Sequence, residues 1–389
     1  MKKTLAALAA LAVLGAFAGT AAAADVNLYG VVDTGLAYTY KNTELAASEA
    51  DRTNGGESRF GMQSGYNSGS RFGLKGTEDL GNGLRIGFKL ENGFSSDDGN
   101  FKYENRLFGR EASLSLMSEF GTFSFGRMGG VASAAGTYDV VYAIADSFDG
   151  GDNDVFGMHS SSRYDNMVTY QSPKFAGMQA TAQYSFKQNS VSGSGNEGTS
   201  KVDRYAGLAL TGEYGPLQMV GAYELTKYAN TKDAHDETHA FYLGGNYDLQ
   251  VMKLFALAQY TKADKNFGTF ENPLSGALFA GVEGIEKGID SYGLHLGTVI
   301  PVAGGDFTAA VYYVDGETDT LRDARGQGSY DLAYLGLSAR YVYPLSKRTS
   351  VYMGAGYAEE KIDVKVDDAG TNSFKNKIGQ AYAGITHTF

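Results

Sequence analysis

Two alternating runs joined by an Asn-Gly turn constrain this chain more than any other feature. They occupy residues 70–94, SRFGLKGTEDLGNGLRIGFKLENGF, with Asn82 and Gly83 between them. Apolar and polar residues alternate in each run, and side chains alternate across a β-strand, so both runs are predicted to be strands. An Asn-Gly pair between such runs is a strong hairpin signal. One face of this hairpin is apolar, whereas the other is charged and rich in glycine.

The composition is that of a β protein. The 389 residues include 53 Gly, 27 Tyr and 22 Phe, but only 5 Pro and neither Cys nor Trp. Glycine together with aromatic residues favours sheets with tight turns over helices. The lack of cysteine excludes a disulfide framework and thiol chemistry. A net charge of −11 at pH 7 argues against nucleic acid as a partner.

Residues 1–24 differ from the rest and are predicted to be a secretory signal peptide. Two lysines precede an apolar run, and a final A-x-A motif places cleavage after Ala24. The alternative is an uncleaved transmembrane helix, but no basic cluster follows the segment. No other stretch has ~18 consecutive apolar residues, which excludes a helical membrane protein. We expect residues 25–389 to form one domain, because no linker rich in Pro or Ser divides them.

The alternating pattern recurs to the end of the chain. It predicts about sixteen strands, with about seven short turns alternating with about eight longer connections. A strand of ~10 residues tilted by ~45° spans roughly 23 Å, close to the ~25 Å apolar band of outer-membrane barrels. The predicted fold class is therefore all-β, a transmembrane antiparallel β-barrel. The alternative is an array of soluble β-sandwiches. Such an array would need neither the regular alternation of short turns with longer connections nor so polar a second face on each strand.

The rhythm is interrupted at residues 128–162, the longest interruption apart from that at 263–290. The segment contains no Lys or Arg. A group of carboxylates in a narrow pore would set its ion preference. Two alternatives stay open: a solvated surface loop, and a calcium site at 149–154, although the spacing does not match the EF-hand template. The five aspartates of the segment are Asp139, Asp146, Asp149, Asp152 and Asp154.

Other motifs point to loops. Residues 193–198 are formally GxGxxG, but no helical pattern follows, so a loop tip is favoured over a Rossmann turn. His235 and His239 do not fit HExxH and are predicted to be exposed loop histidines. With five scattered histidines and no G-x-S-x-G elbow, no catalytic triad can be argued. No enzymatic activity, cofactor or metal is predicted.

Several segments resemble the trimeric general porins of Gram-negative bacteria, of the β-proteobacterial type. They are VNLYGVVD at 26–33, SRFGLKGTEDLGNGL and FKLENGF in the first hairpin, FGTFSFGR at 120–127, PLSKRTS at 344–350 and the terminal Phe. The resemblance covers the mature chain. It implies a sixteen-stranded barrel with short periplasmic turns and long extracellular loops, three barrels per assembly, and a third long loop folded into the lumen. That loop would be residues 128–162.

The resemblance also implies a location and partners. The barrel would be a homotrimer in the outer membrane, in contact with its lipid and lipopolysaccharide. Phe389 fits the signal that the family carries on its last strand for the barrel-assembly machinery. We therefore expect a porin for passive diffusion of ions and small hydrophilic solutes. The alternatives are a barrel enzyme, such as a lipase or protease, and an adhesive or structural barrel with a plugged lumen.

Basic residues are predicted on the wall opposite the acidic loop. The alternation turns four of them inward: Lys75, Arg85, Lys89 and Arg340. Together with the loop they would create a transverse field across the constriction. The alternative is that they pair locally with Glu78 or Glu91. The sign of the ion preference stays open, and the absence of basic residues from the loop favours cations.

Overall fold

The computed structural model describes residues 25–46, 52–103, 105–191, 195–230, 237–265, 288–323, 326–366 and 370–389. The predicted signal peptide with Ala24, His235, and most of residues 263–290 lie outside these ranges, as does part of the glycine-rich motif. None of the helices in these ranges is long and apolar enough to cross a membrane. His239 lies in a strand, where its Nδ1 is 2.8 Å from the Tyr223 hydroxyl, and is not an exposed loop residue.

Within the described ranges, seventeen strands form one antiparallel sheet. Strands that follow one another in the chain pair with each other, except the second with the third, and the first pairs with the last, which closes the sheet into a barrel. The strands are β1 (Asp25–Ala46), β2 (Arg52–Ser64), β3 (Arg71–Gly81), β4 (Leu84–Gly93), β5 (Glu111–Ser118), β6 (Gly121–Gly129), β7 (Arg163–Gln171), β8 (Met178–Ser185), β9 (Arg204–Tyr214), β10 (Leu217–Lys227), β11 (Thr238–Asp248), β12 (Lys253–Asp264), β13 (Ile289–Val302), β14 (Gly305–Asp323), β15 (Gly326–Pro344), β16 (Thr349–Val366) and β17 (Gly370–Thr388).

Strands β2 and β3 share one position in the ring. Both pair with β1, β2 along its second half and β3 along its first. Residues 65–70 interrupt the strand between them, and the Ser70 hydroxyl accepts a hydrogen bond from the Asp33 N–H across this gap (3.0 Å). The described barrel therefore has sixteen strand positions, which confirms the prediction.

The turn between β3 and β4 has the geometry expected of Asn-Gly. The φ angles of Asn82 and Gly83 are 53° and 76°. Positive φ at both central residues defines a type I′ turn, whose twist matches that of paired strands. The short connections after β5, β7, β9, β11, β13 and β15 lie at this same end, because the strands from β3 onwards alternate in direction.

The two faces of the wall differ as the alternation predicted. Polar and charged residues such as Glu91, Glu111 and Ser124 lie on the inner face and are buried against other inner groups. An apolar exterior with a polar interior suits a wall between lipid and water. Large apolar side chains are exposed on the outer face, among them Leu74, Leu114, Phe125, Leu243 and Leu337.

Strands β14 to β17 are longer than the sequence pattern predicted. Each has 18 or 19 residues, which at a ~45° tilt spans about 42 Å, more than the ~25 Å apolar band. Their outer parts still alternate, but with the two faces exchanged: Ile362 and Val364 are buried on the inner face, and Lys365 is exposed on the outer face. The pattern of an apolar outer face therefore did not show them. Cross-strand ion pairs hold them together there, Lys365 with Asp331 at 2.9 Å and Lys375 with Glu359 at 2.7 Å.

The C-terminus completes the closure of the barrel. The Phe389 N–H donates to the Gly30 carbonyl (3.1 Å), and the Gly30 N–H donates to the Phe389 carbonyl (3.0 Å). The Phe389 ring lies so close to the Gly30 Cα that a Cβ there would overlap it. Glycine is therefore the residue that permits this contact.

Candidate pore constriction

Residues 130–162, here called the inward segment, leave β6 and fold into the barrel. They form the third long connection, after those that follow β1 and β4. A short helix, α1 (Val141–Ala145), packs on β10, β11 and β12, and a 3-10 turn (Asn153–Val155) packs on β15, β16 and β17. Tyr142 and Val155 are fully buried in these contacts. The inward segment therefore narrows the lumen, as the resemblance implied.

The two ends of the inward segment are held together and to the wall. The Gly130 N–H donates to the Ser162 carbonyl (3.0 Å). Glu224 of β10 accepts hydrogen bonds from the Ala132 N–H (3.2 Å) and the Tyr205 hydroxyl (2.5 Å). A buried carboxylate on the wall thus fixes the point at which the segment enters the lumen.

Asp146 fastens the middle of the inward segment to the wall. Its Oδ1 accepts hydrogen bonds from the Tyr312 hydroxyl and the Phe148 N–H, both at 2.9 Å. Its Oδ2 accepts one from the Gly150 N–H (3.2 Å), and His295 Nε2 lies 3.4 Å from Oδ1. The Asp146 side chain is fully buried. It holds the segment in place without touching pore water.

Asp152 forms a second attachment. It accepts hydrogen bonds from the Tyr382 hydroxyl (2.6 Å) and the Gln380 amide (3.0 Å), both on β17. Its side chain is buried. Burial raises the pKa of Asp152, whereas the bond from Tyr382 and the charge of Arg340 lower it. This carboxylate also points into the wall.

Asp139 and Asp149 have contrasting surroundings. Asp139 is buried, and burial followed by the charge of Asp149 raises its pKa well above the ordinary range, which favours the neutral acid. Asp149 is exposed to the lumen. Desolvation and the charge of Asp146 raise the pKa of Asp149, while Arg71 and Arg340 act in the opposite direction. Asp149 is therefore the aspartate that faces both wall cations and pore water.

Asp154 pairs with the first strand. Its Oδ2 lies 3.6 Å from Lys41 Nζ of β1, and both side chains are partly exposed. In the described part of the chain, no group of three or more His, Cys, Asp or Glu side chains could hold a metal ion. The structure therefore offers no support for the calcium alternative at 149–154.

Lys89 links the wall to the inward segment. Its Nζ donates to Glu111 Oε2 (2.9 Å) and to the hydroxyl of Thr137, which belongs to the segment (3.1 Å). It also lies 3.9 Å from Glu91 Oε2. Lys89 thus makes both the local pairing and the contact across the lumen that the sequence left as alternatives.

A cluster of charged residues around Glu91 was not predicted from the sequence. Arg110 Nε lies 2.6 Å from Glu91 Oε1 and Arg71 Nε 3.9 Å from Oε2, and the Tyr29 hydroxyl donates to Oε2 (2.8 Å). Arg71 could have been found, since it shares the inward face of β3 with Lys75. Arg110 lies in the connection before β5, where alternation carries no information.

The other predicted wall residues lie at different heights. Lys75 and Thr137 line one cavity of about 420 Å³ inside the barrel. The guanidinium of Arg340 lies 4.7 Å from the ring centre of Phe148, a residue of the inward segment. Arg85 is exposed beside the short turn and does not line that cavity. The structure therefore brings Lys75, Lys89 and Arg340 to the inward segment and leaves Arg85 nearer the turns.

A closed barrel with an apolar exterior and a polar lumen, narrowed by an inward segment, is the architecture of a transmembrane diffusion channel. A comparison with protein families identifies the family of this channel. The profile described as Gram-negative porin matches residues 7–363. The chain belongs to the Gram-negative porin family.

Individual relatives agree with this assignment. An outer membrane porin protein of Bordetella pertussis is 36% identical over 92% of this chain and 94% of its own length. Outer membrane porin protein 32 of Delftia acidovorans is 31% identical over 100% and 97%. The solved anion-selective porin from Comamonas acidovorans is 26% identical over 94% and 100%, with a TM-score of 0.57. The barrel therefore lies in the outer membrane and forms a water-filled channel for passive diffusion of ions and small hydrophilic solutes.

Proposed function

We propose that this channel conducts anions in preference to cations. The observation that carries the proposal is the contrast between the charges that meet water at the constriction. One acidic side chain, that of Asp149, is exposed there. Two basic side chains reach the same region: that of Lys75 is exposed and that of Arg340 is half-buried. Neither Lys75 nor Arg340 forms an ion pair with any residue that the structure describes. The low-dielectric walls of a narrow pore focus the field of such charges.

The other carboxylates of the inward segment, and those that contact it from β4 and β5, are compensated or withdrawn from water. Arg71 and Arg110 surround Glu91, and Lys89 pairs with Glu111. These three cations face two carboxylates, so this side of the pore keeps a positive excess. Burial favours the neutral form of Asp139. The two attachment residues, Asp146 and Asp152, are buried against hydroxyl donors.

This proposal differs from the preference for cations that the loop sequence favoured. That inference weighed the acids of the segment without their partners, which come from strands far away in the chain. The similar solved porin is named anion-selective, which supports a preference for anions here.

Charge-neutralising variants test the proposal in planar bilayers with a KCl gradient. Arg340→Gln and Lys75→Gln should each move the zero-current potential towards that of a cation channel. Arg85→Gln is the matched control, because Arg85 lies beside the short turn, and its shift should be smaller. Equal shifts in all three variants would contradict the position that we assign to the constriction.

We also propose how the chain is processed and assembled. Residues 1–24 would be removed after Ala24, and the mature chain would form a homotrimer in contact with lipopolysaccharide and other outer-membrane lipid. Its apolar outer face supports this, since a trimer divides that face between lipid and neighbouring barrels. Phe389 would serve as the signal to the barrel-assembly machinery.

Mass and mobility test this assembly. The mature protein should begin at Asp25 by mass spectrometry. Unheated samples in mild detergent should migrate near three times the monomer mass, and a monomer by light scattering would contradict the trimer.

We propose that transport through this barrel involves no enzymatic step. The similar proteins are named as porins, which supports a channel role. Purified, conducting barrels should not hydrolyse lipid or protein substrates. Hydrolysis that co-purifies with conductance would contradict this. A chain that forms no conducting channel would favour the structural or adhesive alternative instead.

A further inference from the structure

A cavity of about 480 Å³ lies between the inward segment and the wall formed by β1 and β2. It is nearer the long connections than the short turns, because it lies beyond the break at residues 65–70. Tyr38, Tyr40 and Phe60 point outward from the same strands, so their chain neighbours point into the lumen. The charged side chains lining the cavity are Lys41, Glu57, Arg59, Lys102 and Asp154.

Two of these five charges are paired and three are not. Lys41 pairs with Asp154 at 3.6 Å. Glu57, Arg59 and Lys102 form no ion pair or side-chain hydrogen bond with any residue in the described ranges. Glu57 and Arg59 project from β2, while Lys102 belongs to the second long connection. The cavity therefore presents two unpaired positive charges and one unpaired negative charge.

We propose that this cavity is a binding subsite for acidic amino acids, which carry two carboxylates and one ammonium group. The charges match one for one. The planar guanidinium of Arg59 can bind one carboxylate through two parallel hydrogen bonds. Lys102 binds the second carboxylate, and Glu57 binds the ammonium group. The proposal rests on the channel function above, because such a solute reaches the cavity only through the lumen.

Spacing and volume agree with this occupant. Glu57 and Arg59 are two residues apart on one face of β2, which separates their Cα atoms by roughly 7 Å. A molecule whose ammonium and carboxylate share one carbon fits between two side chains so placed. A cavity of about 480 Å³ lies within the ~300–1,000 Å³ range of small-molecule sites and leaves room for water.

The side of the cavity formed by the inward segment is fixed. The Asn153 side-chain amide donates to the Tyr66 carbonyl (3.1 Å), which ties the 3-10 turn to the break between β2 and β3. The Lys41–Asp154 pair adds a second link to β1. The space itself is thus preformed, so that binding has to order only the side chains of Glu57, Arg59 and Lys102.

Solute block of single-channel current tests the subsite. The native full-length barrel in KCl should show a saturable reduction of current when aspartate is added on the long-loop side. Succinate has the two carboxylates without the ammonium group, and glycine has one group of each sign. Aspartate should act at about 10-fold lower concentration than either, since a charged hydrogen bond changes affinity by about that factor. Equal action of aspartate and succinate, or no saturable block, would overturn the proposal.

Three near-isosteric variants assign the roles. Arg59→Gln and Lys102→Gln should each weaken the block by aspartate about 10-fold. Glu57→Gln should make aspartate and succinate equally effective. Lys174→Gln, at an ion pair with Glu213 near the short turns, is the control and should leave the block unchanged. Native-like conductance shows that each variant is folded, as does an oligomer that stays intact during electrophoresis of unheated samples.

The outcomes separate this inference from the proposed ion preference. If the zero-current potential shows anion preference but folded Glu57→Gln keeps the discrimination between aspartate and succinate, the subsite is wrong and the ion preference stands. If native aspartate block follows these rules in a cation-selective channel, the subsite stands and the ion preference is wrong.

Discussion

The Tyr382 hydroxyl donates a 2.6 Å hydrogen bond to Asp152, and so ties the last strand of the barrel to the inward segment over 230 residues of chain. Gln380, two residues earlier on β17, donates to the same carboxylate. The acidic residues of the segment therefore do two kinds of work. Asp146 and Asp152 attach the segment to the wall, and Asp149 faces the pore.

Loss of the attachment at Asp152 should loosen the inward segment. Asp152→Ala leaves the donors of Tyr382 and Gln380 without their acceptor, which costs about 1–3 kcal/mol for a buried group. We expect frequent current fluctuations between two or more levels in single-channel records. Asp154→Asn is the comparison, since Asp154 is partly exposed and its 3.6 Å pair with Lys41 is a weaker link, so current noise should rise less in this variant. Equally quiet currents in both variants would show that Asp152 does not hold the segment.

Selectivity should respond to the aspartate that faces water and not to the attachments. Asp149→Asn should move the zero-current potential towards anions, whereas Asp146→Asn should mainly change current noise, because the Asp146 side chain is fully buried. Lys75→Glu combined with Lys89→Glu should move it towards cations. If Asp146→Asn shifts selectivity as much as Asp149→Asn, the division of roles is wrong.

Stability should depend on which face receives a charge. Leu243 is exposed at the middle of β11 on the outer face, so Leu243→Arg should destabilise the barrel by about 2–4 kcal/mol near the bilayer midplane. Thr77→Arg, on the inner face of β3, should mainly change conductance. Reversible urea unfolding from lipid vesicles measures both. Similar losses of stability would mean that inside and outside are assigned wrongly.

The attachment of the inward segment should also depend on pH. His159 Nδ1 lies 2.7 Å from Asp264 Oδ2. Burial lowers the pKa of His159, but the carboxylates of Asp264 and Glu224 raise it by more, so the net pKa is above 6.5. A raised pKa means that this contact contributes fully below the unfolded value of ~6.5 and is lost as the pH rises through the raised value.

Current noise should therefore increase in the native channel as the pH rises through the raised pKa of His159. His159→Gln carries no charge at any pH and should remove this dependence. Records at about pH 5 and about pH 9 decide it. Noise that changes with pH to the same extent in both proteins would exclude His159 as its source.

The barrel could be predicted from the sequence because the alternation of apolar and polar residues within each strand shows which face meets lipid. The turn at Asn82 and Gly83 has the predicted backbone, and side chains such as Leu74 and Lys89 lie on the predicted faces. These features depend on neighbours in the chain or on simple alternation. The outer parts of β14 to β17 escaped prediction because their outer face carries ion pairs, such as Lys365 with Asp331, while apolar residues such as Ile362 lie on the inner face.

The roles of the side chains in the candidate constriction could not be predicted from the sequence in this way. Asp149 and Asp152 are the same residue type and lie three residues apart. Asp149 is exposed to pore water, whereas Asp152 accepts a hydrogen bond from Tyr382. The difference comes from contacts with distant strands, which local patterns do not encode. Arg110 escaped for a related reason, since it reaches Glu91 from a connection without periodicity.

The zero-current potential of the native channel across a KCl gradient tests the central claim most directly. The claim is that wall cations such as Arg340 and Lys75 outweigh the exposed carboxylate of Asp149 in the water-filled constriction. Potassium and chloride have similar mobilities in water, so the sign of the potential reports the charge of the pore. We predict the sign of a chloride-selective channel, and a potential of the potassium-selective sign would contradict the account.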